Sequence, residues 1–234
     1  MSDAAPATSD ATPATSDATP EHAAPPRAIP PIGKGRLEAL ADGVFAIVMT
    51  LLVLELIPRE PVPQTAAALR AWLVALGPKV LSYVLSFVVV AIFWVAHHSE
   101  FHFIRSTDRR HLWINLALLL TLTFVPFSAA LLGQHPDLTA GPLVYGANLL
   151  ASAALLIANW AYATRGRRLV DPALPDAVVR WFFRRLVVGP ALYALGAALA
   201  FVSPRASVAV YVFAVVYYVV VQNVAGAPPG SRSL

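Results

Sequence analysis

The chain has 234 residues, 58% of them hydrophobic and 13% charged, with a net charge of +4 and no cysteine. An ordinary soluble domain carries about 25% charged residues, so this composition points to a membrane protein. The lack of cysteine excludes disulfides, thiolate metal sites and cysteine nucleophiles, and the basic residues are scattered over loops with no nucleic-acid-reading module around them.

Residues 1–32 differ in kind from the rest. Ala-Thr-Ser-Asp-Ala-Thr-Pro begins at Ala7 and again at Ala14, and Ala-Pro-rich sequence follows to Pro31. Such a segment buries too little to offset its ordering entropy, so it reads as a disordered cytoplasmic tail; it also lacks the basic and apolar regions of a signal peptide. From residue 33 to 226 the chain reads as one all-α membrane domain, with 227–234 a short cytoplasmic C-terminal tail. Six apolar runs are near the roughly 20 residues needed to cross the hydrocarbon core. They are 42–57, 80–97, 112–132, 143–163, 186–202 and 206–225. The first is short, but its helix is expected to begin near Gly35. Pro78, Pro142 and Pro204 sit at or just before span starts, where a missing N–H costs least. Pro126 and Pro190 lie inside the third and fifth spans and are expected to kink them.

Two connections are more than turns. Thr65 can cap a short helix from Ala66 to Leu76, with Leu69, Trp72, Leu73 and Leu76 on one face, lying on the outer membrane surface. Pro175 and Asp176 open a helix through Arg180, Trp181, Phe182, Phe183, Arg184 and Arg185, which runs on into the fifth span. Aromatic and arginine residues together mark a cytoplasmic interface.

With six spans both termini share a side. That side holds Arg27, Lys34, Arg36, Arg105, Arg109, Arg110, Arg165, Arg167, Arg168, Arg180, Arg184, Arg185 and Arg232, and the other only Arg59, Arg70, Lys79 and Arg205, a split of 13 to 4. The positive-inside rule therefore places both termini in the cytoplasm of a multi-pass protein of the cell inner (plasma) membrane, with anionic membrane lipid as a contact.

The first span holds the most information. Arg36 and Asp42 stand at one end of an apolar helix, Thr50 in its middle and Glu55 near the other end. Ionisable groups at the edge of hydrocarbon are costly and persist where they line a water path or pair with one another. Ile47, Thr50 and Leu54 share one stripe at i, i+3 and i+7, with Gly43 a turn earlier. In a symmetric ring of such helices they form isoleucine, hydroxyl and leucine layers, a constriction that can gate by dewetting beside a weak cation ligand. A packing stripe against a neighbouring helix is the alternative. Glu55 reads equally as a ring at the outer mouth and as a solvated helix end.

Arg36-x-x-x-Leu-Ala-Asp42 runs into Gly-Val-Phe-Ala-Ile and Thr-Leu-Leu-Val-Leu-Glu. It resembles the Arg-x-x-x-Phe-Ser-Asp first-helix signature of the bacterial relatives of transmembrane protein 175, the endosomal and lysosomal potassium channel family. Phe93-Trp-Val-Ala-His97-His98-x-x-Phe101 and Leu112-Trp113-Ile-Asn115-Leu, with Phe124-Val-Pro126-Phe127-Ser further on, are similar to the same family. The resemblance covers about residues 34–225. It implies a homotetramer with six helices per chain and a central pore lined by the first helix, without the Thr-Val-Gly-Tyr-Gly filter loop of ordinary potassium channels. It places Ile47 at the hydrophobic constriction and Thr50 in the threonine layer. It also implies a polar network of Arg36, Asp42, His98 or His97, Asn115 and Trp113. Leu40 and Ala41 replace the family's Phe and Ser; Leu40 still fills an apolar slot, and Ala41 loses a hydroxyl.

His97-His98-x-Glu100-x-His102 has one ligand-like pair at i, i+4, but too few further histidines for an intramembrane metal centre, so no cofactor is expected. A histidine hydrogen-bonded to Asp42 or to a backbone carbonyl is expected instead. The resulting expectation is a passive, leak-like potassium-selective channel with potassium as the permeant, and no enzyme. The alternative is a proton-coupled or other secondary cation transporter, which matched Gly- or Pro-interrupted spans would favour; none stands out.

Overall fold

The computed structural model describes residues 33–58 and 61–224, with side chains described as far as Val220. The tails expected at 1–32 and 227–234, and Arg27, Arg59 and Arg232 of the charge count, lie outside the described residues. Among the described residues the chain is helical, apart from one isolated bridge between Ile104 and Val170. The α-helices are α1 (Lys34–Leu51), α2 (Ala66–Ala75), α3 (Gly77–Phe103), α4 (Arg109–Thr123), α5 (Val125–Gln134), α6 (Ala140–Thr164), α7 (Asp176–Leu199) and α8 (Pro204–Val224). A 3-10 segment, Leu52–Leu56, continues α1. Five segments are long and apolar enough to cross a membrane: Lys34–Leu56, Gly77–Phe103, Arg109–Gln134, Ala140–Arg167 and Asp176–Leu199. The described apolar part of α8, Pro204–Val220, is shorter.

Several local expectations hold in detail. The Thr65 hydroxyl accepts the Ala68 amide and caps α2, whose Leu69, Trp72 and Leu76 are half-buried while Leu73 stays exposed. Asp176 opens α7 through the basic-aromatic stretch. Pro78 and Pro126 fall in the first turns of α3 and α5, and Pro204 begins α8. The third span is interrupted at Phe124, because Pro126 has no N–H for the Leu122 carbonyl. Pro190 lies inside α7, which continues through it as one helix.

The core is a helical bundle in which α6 packs against α4, α5, α7 and α8. Small and polar residues let the helices approach, as membrane helices do in the absence of a hydrophobic force between them. Asn148 Nδ2 donates to Ser128 Oγ at 3.1 Å, Ser152 Oγ to Thr121 Oγ1 at 2.9 Å and Ser82 Oγ to the Ala129 carbonyl at 2.6 Å. Tyr211 of α8 lies in a slot between Gly146 and Gly196: a Cβ there would come within 2.0 Å and 2.2 Å of its ring or hydroxyl. Its hydroxyl donates to the Pro142 carbonyl at 2.9 Å.

Loops at the end of the bundle where α1 begins are tied down by charge. Arg105 pairs with Asp171 at 2.7 Å, and Arg167 with Asp176 and the Leu174 carbonyl. Asp108 caps α4 through the His111 amide at 2.8 Å and accepts the Tyr162 hydroxyl at 2.6 Å. Burial opposes its ionisation, but those donors outweigh it and hold the Asp108 carboxyl below its ordinary value. At the opposite end Arg205 pairs with Asp137 at 2.9 Å.

Candidate functional site

Helix α1 has two unlike faces. Leu37, Ala41, Phe45, Val48 and Leu52 recur at helical spacing and are buried against α3 and α4. Gly43, Ile47, Thr50 and Leu54 lie on the other side and are exposed, Ile47 at 58% and Leu54 at 51%. Thr50 Oγ1 donates to the Ile47 carbonyl at 2.8 Å, which keeps its lone pairs free toward the exposed side. Leu54 sits in the 3-10 segment rather than in the α-helix. Seven α-helical residues would leave it about 20° behind Ile47; the tighter turn brings it about 20° ahead, so it stays on the stripe. Glu55 is half-buried in a small cleft with Lys79, Ser82 and Tyr83.

Behind α1 lies a fully buried polar chain. His97 Nε2 donates to Asn115 Oδ1 at 3.0 Å, Asn115 Nδ2 to Asn159 Oδ1 at 2.7 Å, and Asn159 Nδ2 to Glu100 Oε2 at 2.8 Å. Asn115 Nδ2 also reaches the His111 carbonyl at 3.0 Å. The donors all point toward the Glu100 carboxyl, so the bonds polarise one another. Glu100 Oε1 and His111 Nδ1 are buried and make no hydrogen bond among the described residues. The His97 ring stacks on Phe101 at 4.4 Å and touches Phe45 of α1 at 5.7 Å, which joins this chain to the back of the exposed stripe.

Of the expected network, the structure brings together only His97 and Asn115 within one chain. Asp42 instead accepts Trp94 Nε1 at 2.9 Å, so an indole supplies the bond expected from a histidine. His98 Nδ1 lies 3.8 Å from Glu38 Oε1. Arg36 is exposed with no ion pair among the described residues, and Trp113 is 62% exposed. The reason is periodicity: neighbours on a helix point about 100° apart, so when His97 faces inward, His98 cannot. Trp94 and His98, one turn apart with rings 5.8 Å from each other, face Asp42 and Glu38, also one turn apart. Sequence reasoning missed Asn159 and gave Glu100 only a metal-ligand role. The available signals were an asparagine in the middle of an apolar span and a glutamate on the His97 face.

A multi-pass helical chain with ionisable groups inside its spans and an apolar stripe facing outward belongs to the class of membrane transport proteins. Residues 36–126 match the family described as Endosomal/lysosomal potassium channel TMEM175. A potassium channel of Chamaesiphon minutus is 35% identical over 193 residues, 81% of this chain and 95% of the relative. One of Streptomyces collinus is 34% identical over 79% of this chain and 90% of the relative. The crystal structure of a lysosomal potassium-selective channel TMEM175 homolog from Chamaesiphon minutus superposes with a TM-score of 0.70 at 34% identity, covering 81% of this chain and 98% of that one. The human relative, named an endosomal/lysosomal proton channel, is 26% identical over 66% of this chain and 30% of its own length. The chain belongs to the TMEM175 family, a family of channels and not of enzymes.

Proposed function

We propose that this protein is a passive, leak-like potassium-selective channel, assembled as a homotetramer around a pore lined by α1. The observation that carries the reading is the division of α1 into a buried stripe and an exposed stripe of Ile47, Thr50 and Leu54, in a chain 35% identical to a protein named a potassium channel. Four copies of that stripe make two apolar layers with a hydroxyl layer between them. Ile47 and Leu54 constrict the path, Thr50 offers weak oxygen ligands to a partly dehydrated cation, and Glu55 stands at the outer mouth. α8 serves as the sixth span, and both termini face the cytoplasm across the plasma membrane. The exposed Arg36 and Trp113 are then free to meet a neighbouring subunit, with the Asp42–Trp94 and Glu38–His98 contacts beside them. Reconstitution into planar bilayers under a potassium–sodium gradient tests this. Unitary currents reversing toward the potassium equilibrium potential are expected. Saturable uptake without unitary currents would favour the secondary-transporter alternative.

A further inference from the structure

An open cleft of about 110 Å³ lies between α3, α6, α7 and α8. Its walls are mostly apolar, including Phe93, Leu156, Leu186 and Tyr193. Its one charged lining residue is Arg185, half-buried, with its guanidinium 4.5 Å from the centre of the Trp181 ring. Among the described residues no ion pair or hydrogen bond engages that guanidinium, whereas Arg105, Arg167 and Arg205 each pair with an aspartate. Two other polar groups at the cleft are already spent: the Ser99 hydroxyl donates to the Val95 carbonyl at 2.7 Å and the Tyr218 hydroxyl to the Arg185 carbonyl at 3.0 Å. Arg180 and Arg184 are exposed on the same first turns of α7.

We infer that this cleft is a binding site for one anionic phospholipid, with an acyl chain against Phe93, Leu156 and Leu186 and the headgroup phosphate on Arg185. An opening between membrane-spanning helices meets the bilayer before anything else, which selects an amphiphile. A planar guanidinium fixed over an indole presents two parallel donors, the geometry that recognises phosphate, and Arg180 and Arg184 add positive potential. Basic sites between helices at the cytoplasmic face attract anionic headgroups for this reason. The assignment rests on the orientation in the membrane proposed above but not on conduction, so a chain that failed to pass potassium would leave it standing.

The test uses the full chain in detergent with dioleoyl phosphatidylglycerol and, as the neutral control, dioleoyl phosphatidylcholine, followed by thermal stabilisation and by quenching of tryptophan fluorescence with chain-brominated forms of both lipids. Phosphatidylglycerol is expected to raise Tm and quench at lower concentration than phosphatidylcholine. Arg185→Gln is expected to weaken the phosphatidylglycerol response about tenfold, as for loss of a charge-assisted hydrogen bond, while the phosphatidylcholine response, whose phosphate is offset by its choline charge, falls by less. Ala96→Leu, which narrows the cleft without touching charge, is expected to weaken quenching by both lipids, and Trp181→Phe to remove most of the quenched signal. Equal response to the two lipids, or wild-type phosphatidylglycerol binding by both Arg185→Gln and Ala96→Leu, would overturn the assignment. Stabilisation by sodium phosphate equal to that by phosphatidylglycerol would also overturn it, by making the site one for a free anion.

Discussion

Replacing Asn115 by leucine keeps the side-chain volume and removes every hydrogen bond its amide makes. Four bonds are lost: from His97 Nε2, to Asn159 Oδ1, to the His111 carbonyl and, at 3.4 Å, to His111 Nε2. The His111 carbonyl still receives the Asn115 backbone amide within α4, so His97 and Asn159 each lose a strong bond and leave an orphaned buried atom, and His111 Nε2 loses a long, weaker one. In a soluble core an orphan costs about 1–3 kcal/mol. Between membrane helices the measured worth of such bonds is nearer 0.6 and at most about 1.7 kcal/mol, because the unfolded state in the membrane also finds partners. The membrane figure governs here, and with two well-made bonds and one long one lost Asn115→Leu should destabilise the chain by about 1–3 kcal/mol. Equilibrium unfolding in mixed micelles reads this directly. Asn159→Leu should be non-additive with it by at least about 0.5 kcal/mol, since the two share a bond. If Asn115→Leu unfolded at the wild-type midpoint, or the two substitutions added independently, the continuous chain from His97 to Glu100 would be refuted.

Other outcomes follow from the same geometry. Ile47→Asn should wet the constriction and raise unitary conductance; an unchanged or smaller current in a stable tetramer would place Ile47 against another helix. Thr50→Val should lower the potassium-to-sodium permeability ratio with assembly retained, and a wild-type ratio would move selectivity elsewhere. Gly196→Ala drives a methyl to about the 2.2 Å spacing from the Tyr211 ring and should destabilise by about 1–3 kcal/mol, with Tyr211→Leu relieving part of the loss. Asp42→Ala and Trp94→Phe should each remove the same bond, so the double variant should be no worse than the more damaging single one. Additive losses would show that Asp42 answers to a different partner, such as Arg36.

Apolar run length and turn chemistry make most of the helices legible in the amino-acid sequence. The Thr65 cap, the interruption beside Pro126 and the Asp176 opening of α7 are local, and local rules suffice for them. The Ile47, Thr50 and Leu54 stripe is legible too, although its 3-10 ending is not, since leucine and valine suit either helix. What stays hidden in the sequence is contact between spans. Glu100 and Asn159 meet although 59 residues separate them, and nothing in either segment states the rotation of its helix about its own axis. The choice between His97 and His98 turns on that rotation, as does the choice of Trp94 as the partner of Asp42.

The absence of cysteine from the whole chain makes the pore claim directly measurable, because any introduced thiol is the only one present. Single cysteines at Ile47, Thr50 and Leu54, and at the buried Val48 on the opposite face, can each be challenged with silver ion during bilayer recording. A pore lined by the exposed stripe predicts rapid block at Ile47, Thr50 and Leu54, with wild type and Val48→Cys unaffected. Currents untouched by silver in the three stripe variants, or block at Val48→Cys alone, would contradict it.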